Sequence, residues 1–92
     1  MIKSFKCKDS EALFLGHRVS KWVNISSVAM RKLQQVNAAT GLDFLRVPPG
    51  NRLEALYGDR SGYWSIRIND QFRVCFRFED GYAFDVEIVD YH

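Results

Sequence analysis

The chain has 92 residues, 47% hydrophobic and 14% aromatic, with 13 Lys and Arg against 11 Asp and Glu for a formal net charge of +2. That length supports one core rather than two, and that apolar content excludes an intrinsically disordered chain. No apolar run reaches the roughly 20 residues needed to span a bilayer, and residues 1–6 lack the apolar stretch of a secretory signal, so no membrane partner is expected.

Cys7 and Cys75 lack CxxC spacing, so neither a disulfide framework nor a metal site is read from them, and both are expected to be reduced. Reduced thiols and the missing signal point to the cytoplasm, and residues 1–92 are expected to form a single domain. Charge is distributed unevenly. Residues 1–36 carry seven bases and two acids; residues 37–78 carry six bases, all arginine, and four acids. Residues 79–92 carry five acids and neither Lys nor Arg. Arginine's planar fork suits bidentate phosphate contact better than a lysine ammonium, provided the arginines converge in space.

Residues 2–7 read as a first short strand. Asp9, Ser10 and Glu11 mark a helix start, with the helix running through Leu15 to a stop at Gly16. Over residues 24–40 the apolar positions Ile25, Val28, Ala29, Leu33 and Val36 fall at helical spacing, and Gly41 follows as a left-handed stop. Pro48-Pro49-Gly50 closes a loop, and residues 53–57 form a weaker strand. The period then changes to two. Trp64, Ile66 and Ile68 alternate with Tyr63, Ser65 and Arg67; Phe72, Val74, Phe76 and Phe78 alternate with Arg73, Cys75 and Arg77. Phe84, Val86 and Ile88 alternate with Asp85, Glu87 and Val89. The expected class is α+β, with an N-terminal strand and two helices packed on one face of a mainly antiparallel twisted sheet.

Parity sets the register, because cross-strand partners share a face. A three-residue loop at 69–71 sets Ile68 against Phe72, Ile66 against Val74 and Trp64 against Phe76. A three-residue loop at 79–81, with Gly81 as the left-handed residue of a bulge, sets Phe78 against Tyr82, Phe76 against Phe84, Val74 against Val86 and Phe72 against Ile88. Arg67 then lies opposite Arg73, with Arg77 two positions along and Glu87 opposite Arg73. Like charges directly opposite are unfavourable, so the face is either a salt-bridge ladder through Glu87 or an anion site. The anion site is the reading adopted, with the helices on the apolar side and the arginine side left open to a phosphate-containing ligand, RNA above all.

The chain closes on Asp90-Tyr91-His92 at the edge of that face. A histidine titrates near neutral pH and a tyrosine can donate or accept a proton, so both suit acid–base work beside arginines that stabilise a pentacoordinate phosphate. His17 has no such context and reads as surface. Trp64 reads as core, while Tyr57 and Tyr63 are equally suited to stacking bases or to packing.

The stretch from Pro49 to Arg60, then Gly62, Trp64-Ser65-Ile66-Arg67, Phe72-Arg73-Val74 and the terminal Val89-Asp90-Tyr91-His92, resembles the HigB ("killer protein") toxins of the RelE/ParE superfamily. The resemblance extends across the chain, including residues 1–5 and 37–40. It implies a RelE/ParE-like fold and a ribosome-dependent messenger-RNA endonuclease, in which a ribose 2′-OH attacks its own 3′-phosphate without metal or cofactor. His92 and Tyr91 match the terminal catalytic residues, Asp90 the adjacent acid and Arg73 the arginine on the scissile phosphate, with Arg60, Arg67 and Arg52 assisting RNA or ribosome binding. Some members carry a histidine where this chain has Glu54, which makes Glu54 a candidate base and also a source of repulsion toward phosphate. The partners implied are the ribosome, its message and a helix-turn-helix, HigA-like antitoxin, in a heterotetramer that reaches operator DNA through the antitoxin. Two rivals remain: a ParE-like gyrase inhibitor of the same fold, and a plain RNA- or ribosome-binding module that breaks no bond.

Overall fold

The computed structural model describes residues 1–91. Helix α1 (Lys8–Phe14) places Asp9 and Glu11 in its first turn, where carboxylates complement the exposed backbone N–H groups, and the chain turns away at Gly16 with φ +92°. Helix α2 (Ser26–Ala38) buries Ala29, Leu33 and Val36, with Ile25 and Val28 partly buried beside them, which is the stripe that the spacing predicts. Its end differs from expectation. The backbone is extended at Ala39 (φ −68°, ψ 129°) and again at Gly41 (φ −158°), so no left-handed glycine closes the helix. Ala39 is fully buried, and its packing draws the chain off the helix axis. Gly41 instead precedes a third helix, α3 (Leu42–Arg46), whose five residues are too few to show a period.

The sheet is antiparallel in the order β1 (Glu54–Ala55), β2 (Tyr63–Arg67), β3 (Phe72–Glu79), β4 (Tyr82–Asp90). Strand β1 is shorter than residues 53–57: it pairs with β2 only at Glu54 with Ser65 and Ala55 with Trp64, and left-handed Arg52 (φ +45°) and Gly58 (φ +67°) flank the segment. Strands β2 and β3 pair as parity requires, with Trp64 against Phe76, Ile66 against Val74 and Arg67 against Arg73. Strands β3 and β4 do not. Their loop has two residues, Asp80 (φ +53°) and Gly81 (φ +83°), so Glu79 pairs with Tyr82 and Phe78 with Ala83. Two positive φ values are what an Asp-Gly hairpin turn of the primed type needs. The register then slips at a bulge, where Asp85 (φ +53°) and Val86 together face Phe76, and beyond it Cys75 pairs with Glu87, Val74 with Ile88 and Arg73 with Val89. All the expected pairs of β3 with β4 are therefore wrong: Phe78 with Tyr82, Phe76 with Phe84, Val74 with Val86, Phe72 with Ile88, and Arg73 with Glu87. A strict alternation has no place for an extra residue.

The bulge also explains the N-terminal segment. Residues 2–7 form two isolated parallel bridges to β4, Ile2 with Ala83 and Phe5 with Val86, in place of a continuous strand. Between the bridges the Asp85 N–H turns to the Ser4 hydroxyl at 2.8 Å. Helices α1 and α2 pack on the face that carries Ile66, Val74, Phe76 and Val86, all fully buried. Burying each such side chain contributes roughly 1.5–3 kcal/mol. Ser10 of α1, also fully buried, accepts the Ile88 N–H at 2.9 Å and ties that helix to β4. Trp64 is half-buried against the core and His17 is exposed. Among the described residues, no helix is long and apolar enough to cross a membrane.

Candidate functional site

On the other face, Arg67 and Arg73 sit directly opposite each other and resolve their repulsion by diverging. Arg67 turns outward to the Asp70 carboxylate. Arg73 lies down against the sheet and is only 9% exposed. Its Nε donates to Ser65 Oγ at 2.8 Å, and its Nη2 donates to the Arg52 carbonyl at 2.5 Å and the Ser65 carbonyl at 3.4 Å. Three oxygens therefore hold one edge of the guanidinium, a group too costly to bury without partners. The remaining nitrogen, Nη1, lies 3.5 Å from the Glu54 carboxylate. The expectation that the arginine face stands fully open is corrected here: its central arginine is buried and anchored.

A cleft of about 240 Å³ opens over this edge, lined by Arg52, Glu54, Arg67, Asn69, Asp70, Arg73 and Tyr91. Larger depressions lie elsewhere, among them two of about 410 and 380 Å³ that share Lys21, Trp22 and Phe72 on the helix side and one of about 390 Å³ lined by Asp9, Ala12, Arg18, Val19, Ser20 and Lys21. They bring no arginines together, whereas the smaller cleft brings three, so charge rather than size marks the site. Among the described residues, no group of three His, Cys, Asp or Glu is placed to hold a metal ion.

Tyr91 follows β4 into the cleft, its N–H bonded to the Gln71 carbonyl at 2.6 Å and its ring 5.9 Å from the Arg73 guanidinium carbon. Its hydroxyl is 3.7 Å from Cys75 Sγ. Partial burial, and then the contact with Cys75, push the phenol above its ordinary value, outweighing the opposite pull of Arg60 and Arg73. Tyr91 is therefore a neutral hydrogen-bond donor at neutral pH. Burial likewise pushes the Cys75 thiol up, against a smaller lowering by Tyr91, which leaves it protonated.

Not every expected residue joins the cleft. Asp90 points to the opposite side of β4, lining the depression with Lys21, Trp22, Phe72 and Ile88 and accepting from Gln71 Nε2 at 3.1 Å. Adjacent strand residues face opposite ways, so Asp90 and Tyr91 cannot share a face while the strand continues. Arg60 bonds to Glu87 at 3.2 Å and lies over the Tyr63 ring at 5.6 Å, close enough to act on Tyr91 and Cys75 by charge alone. Glu87 thus serves Arg60 and Lys6, not Arg73. Arg77 belongs to a salt-bridge ladder, with Glu79 at 2.8 Å, Asp85 at 3.8 Å and the Phe84 ring 4.5 Å away. Tyr63 spends its hydroxyl on Asp85, and Tyr57 is 85% exposed. His92 lies outside the described residues.

Ser65, Asn69, Asp70 and Asn51 were not singled out from the sequence. Ser65 had a signal, since parity puts it on the face of Arg67 and Arg73. Asn51 lies in the stretch that carries the family resemblance, but no period marks its burial, which comes from the non-periodic chain around it.

The HigB-like toxin family, described as RelE-like toxins of the type II toxin–antitoxin system HigB, matches residues 5–92. Toxin HigB-1 of Vibrio cholerae serotype O1 (strain ATCC 39315 / El Tor Inaba N16961) is 45% identical over 60 residues, which are 65% of this chain and 63% of that toxin. Endoribonuclease HigB of Proteus vulgaris is 37% identical over 94 residues, with 100% of both chains covered. Among solved structures, YafQ from Escherichia coli strain BL21(DE3) superposes with a TM-score of 0.58 at 16% identity, over 99% of this chain and 92% of that one. The YoeB dimer from Staphylococcus aureus gives 0.56 at 19% identity, over 99% and 94%. These structures share the fold. The chain belongs to the HigB-like family of RelE-like toxins of type II toxin–antitoxin systems.

Proposed function

We propose that this toxin is a ribosome-dependent endoribonuclease that cleaves messenger RNA by attack of a ribose 2′-OH on the adjoining 3′-phosphate. The observation that carries the reading is the pose of Arg73: one guanidinium edge held by Ser65 and Arg52, the other presented to a cleft that Tyr91 borders. The Glu54 carboxylate stands where a phosphate oxygen would bind Nη1. In the reaction the 2′-oxygen forms a bond to phosphorus and the bond to the 5′-oxygen breaks, leaving a cyclic phosphate and a 5′-hydroxyl. Arg73 stabilises the extra negative charge of the pentacoordinate phosphate, and Arg67 and Arg52 hold the flanking phosphates. Tyr91 donates a hydrogen bond to the charge as it develops, and His92 takes or returns the proton. Glu54, displaced from Arg73 by the substrate, becomes a second proton acceptor. Asp90 steadies the tail through Gln71, and Arg60 adds positive potential at the rim. No step uses a metal or cofactor. The Proteus vulgaris relative, named an endoribonuclease, supports cleavage of RNA.

Membership in a type II toxin–antitoxin family implies an antitoxin partner. The finer reading is a helix-turn-helix, HigA-like antitoxin that binds this toxin in a heterotetramer and carries it to operator DNA. Residues 1–92 act as one toxin domain in the cytoplasm, where ribosomes are found.

The test is incubation of the purified toxin with ribosomes carrying a defined message, with free message and a gyrase supercoiling assay in parallel. Cleavage of ribosome-bound message alone is expected. Binding without cleavage would favour the non-catalytic RNA module, and arrest of supercoiling would favour the ParE-like reading.

A further inference from the structure

Asn51 is fully buried in the turn that leads into β1, and the proposed reaction leaves it without a role. Its side chain binds two helices at once. Nδ2 donates to Gln35 Oε1 of α2 at 2.9 Å and to the Leu45 carbonyl of α3 at 3.1 Å, while Oδ1 accepts from Lys32 Nζ at 2.5 Å. Its own N–H closes the turn on the Pro48 carbonyl at 3.0 Å. Arg52 comes next, in the left-handed region at φ +45° and ψ +59°, which a residue with a side chain adopts only when its surroundings hold it there. That conformation turns the Arg52 carbonyl to Arg73 Nη2.

We propose that Asn51 is a positioning residue for Arg73, acting through the Arg52 carbonyl. The helices fix Asn51, Asn51 fixes the turn, and the turn holds the acceptor that sets the guanidinium plane. With Nη2 held, Nη1 is the nitrogen that faces the cleft. A loosened turn lets the guanidinium rotate about its side-chain torsions and misaligns it with the scissile phosphate. The catalytic consequence rests on Arg73 contacting that phosphate.

The experiment uses the full chain and two variants, Asn51→Ala and the milder Gln35→Met, which loosens Asn51 without altering the turn. NMR of the Arg73 side chain reads rotation about the Cζ–Nη2 bond. Slow rotation in the wild type and faster rotation in the variants supports the positioning role, whether or not the toxin cleaves RNA. Unchanged rotation in the folded variants overturns it. Turnover on ribosome-bound message is then measured in the wild type and in an Arg73→Lys background, where one nitrogen cannot satisfy Ser65, Arg52 and the phosphate together. Asn51→Ala should lower kcat by about 10- to 100-fold, more than it raises KM, and should have little further effect in the Arg73→Lys background. Equal losses in both backgrounds mean that Asn51 acts independently of Arg73, which overturns the proposal. Should Asn51→Ala fail to fold, Gln35→Met carries the same two measurements with the same deciding outcomes. Wild-type protein that shows the NMR signature yet cleaves nothing refutes the endonuclease reading and leaves the positioning role supported.

Discussion

Strand β3 is shared by two hairpins that are built in different ways. With β2 it runs in one register over five pairs, closed by a loop in which Asn69 Oδ1 accepts the Gln71 and Phe72 N–H groups, each at 2.8 Å. With β4 it is closed by two left-handed residues and broken by the Asp85 bulge. The regular hairpin sets Arg67 against Arg73, and that opposition drives Arg73 down onto Ser65 and Arg67 out to Asp70. The irregular hairpin distributes the acids. Its bulge delivers Asp85 to Arg77 and Tyr63, puts uncharged Val89 beside Arg73, and leaves Glu87 to Arg60. One end of the arginine face thus has an acid beside each arginine, and the other keeps a net positive charge beside the chain's tail, with Arg52, Arg67 and Arg73 against Glu54 and Asp70. A bulge thereby divides one row of arginines into a structural part and the part proposed to bind phosphate.

That division can be broken at several points. The largest effect is expected from removing His92, which follows the irregular hairpin. Turnover on ribosome-bound message should fall on the order of 10²–10⁴-fold if this histidine transfers a proton, with the melting temperature nearly unchanged. Equal cleavage by wild type and the deletion would transfer the acid–base role to Tyr91 or Glu54. Arg73→Ala, in the regular hairpin, should cost about 10²–10³-fold in kcat through the lost charge. It should also lower stability by roughly 1–3 kcal/mol, because Ser65 Oγ and the Arg52 carbonyl lose their buried donor. Urea denaturation reads the second effect, and an unaltered midpoint would contradict the anchored pose.

The bulge can be tested by itself. Asp85 holds φ +53°, so Asp85→Ala should be less stable than Asp85→Gly by about 1 kcal/mol, both variants keeping cleavage because Arg77 lies outside the cleft. Loss of cleavage in both would show that the two ends of the face are not independent. Glu87→Gln should change less. Its partners Arg60 and Lys6 are solvent-accessible, so roughly 0.2–1 kcal/mol of stability is at stake, and phosphate binding at Arg73 should hold.

The smallest effect concerns pH. Folding raises the Tyr91 pKa above its ordinary value, so the folded state holds that proton more tightly than the unfolded chain does. The resulting stability is fully present below the ordinary tyrosine range and is lost as pH rises through the raised value. Wild type should therefore lose stability above about pH 10 more steeply than Tyr91→Phe. Parallel curves would place Tyr91 in water instead of against Cys75.

Start and stop residues were enough to mark α1, and local periodicity to determine α2, the three long strands and the register of β2 on β3, because burial repeats every two or 3.6 residues and one face must meet another. The motifs also carried the family resemblance, and with it the arginine that the cleft surrounds. Tertiary structure decided the rest. An extra residue in β4 costs the sequence pattern nothing that can be read, yet it changed which acid meets which arginine. The short helix α3 and the buried Asn51 carry no period, since only packing against α2 and the turn gives those residues an inside and an outside. Arg73 reads as exposed by alternation and is buried in fact, because the turn at residues 49–52 folds over the sheet and brings it a carbonyl. Alternation reports which face a side chain leaves from; what covers that face depends on chain distant in sequence, and so does the orientation of the guanidinium.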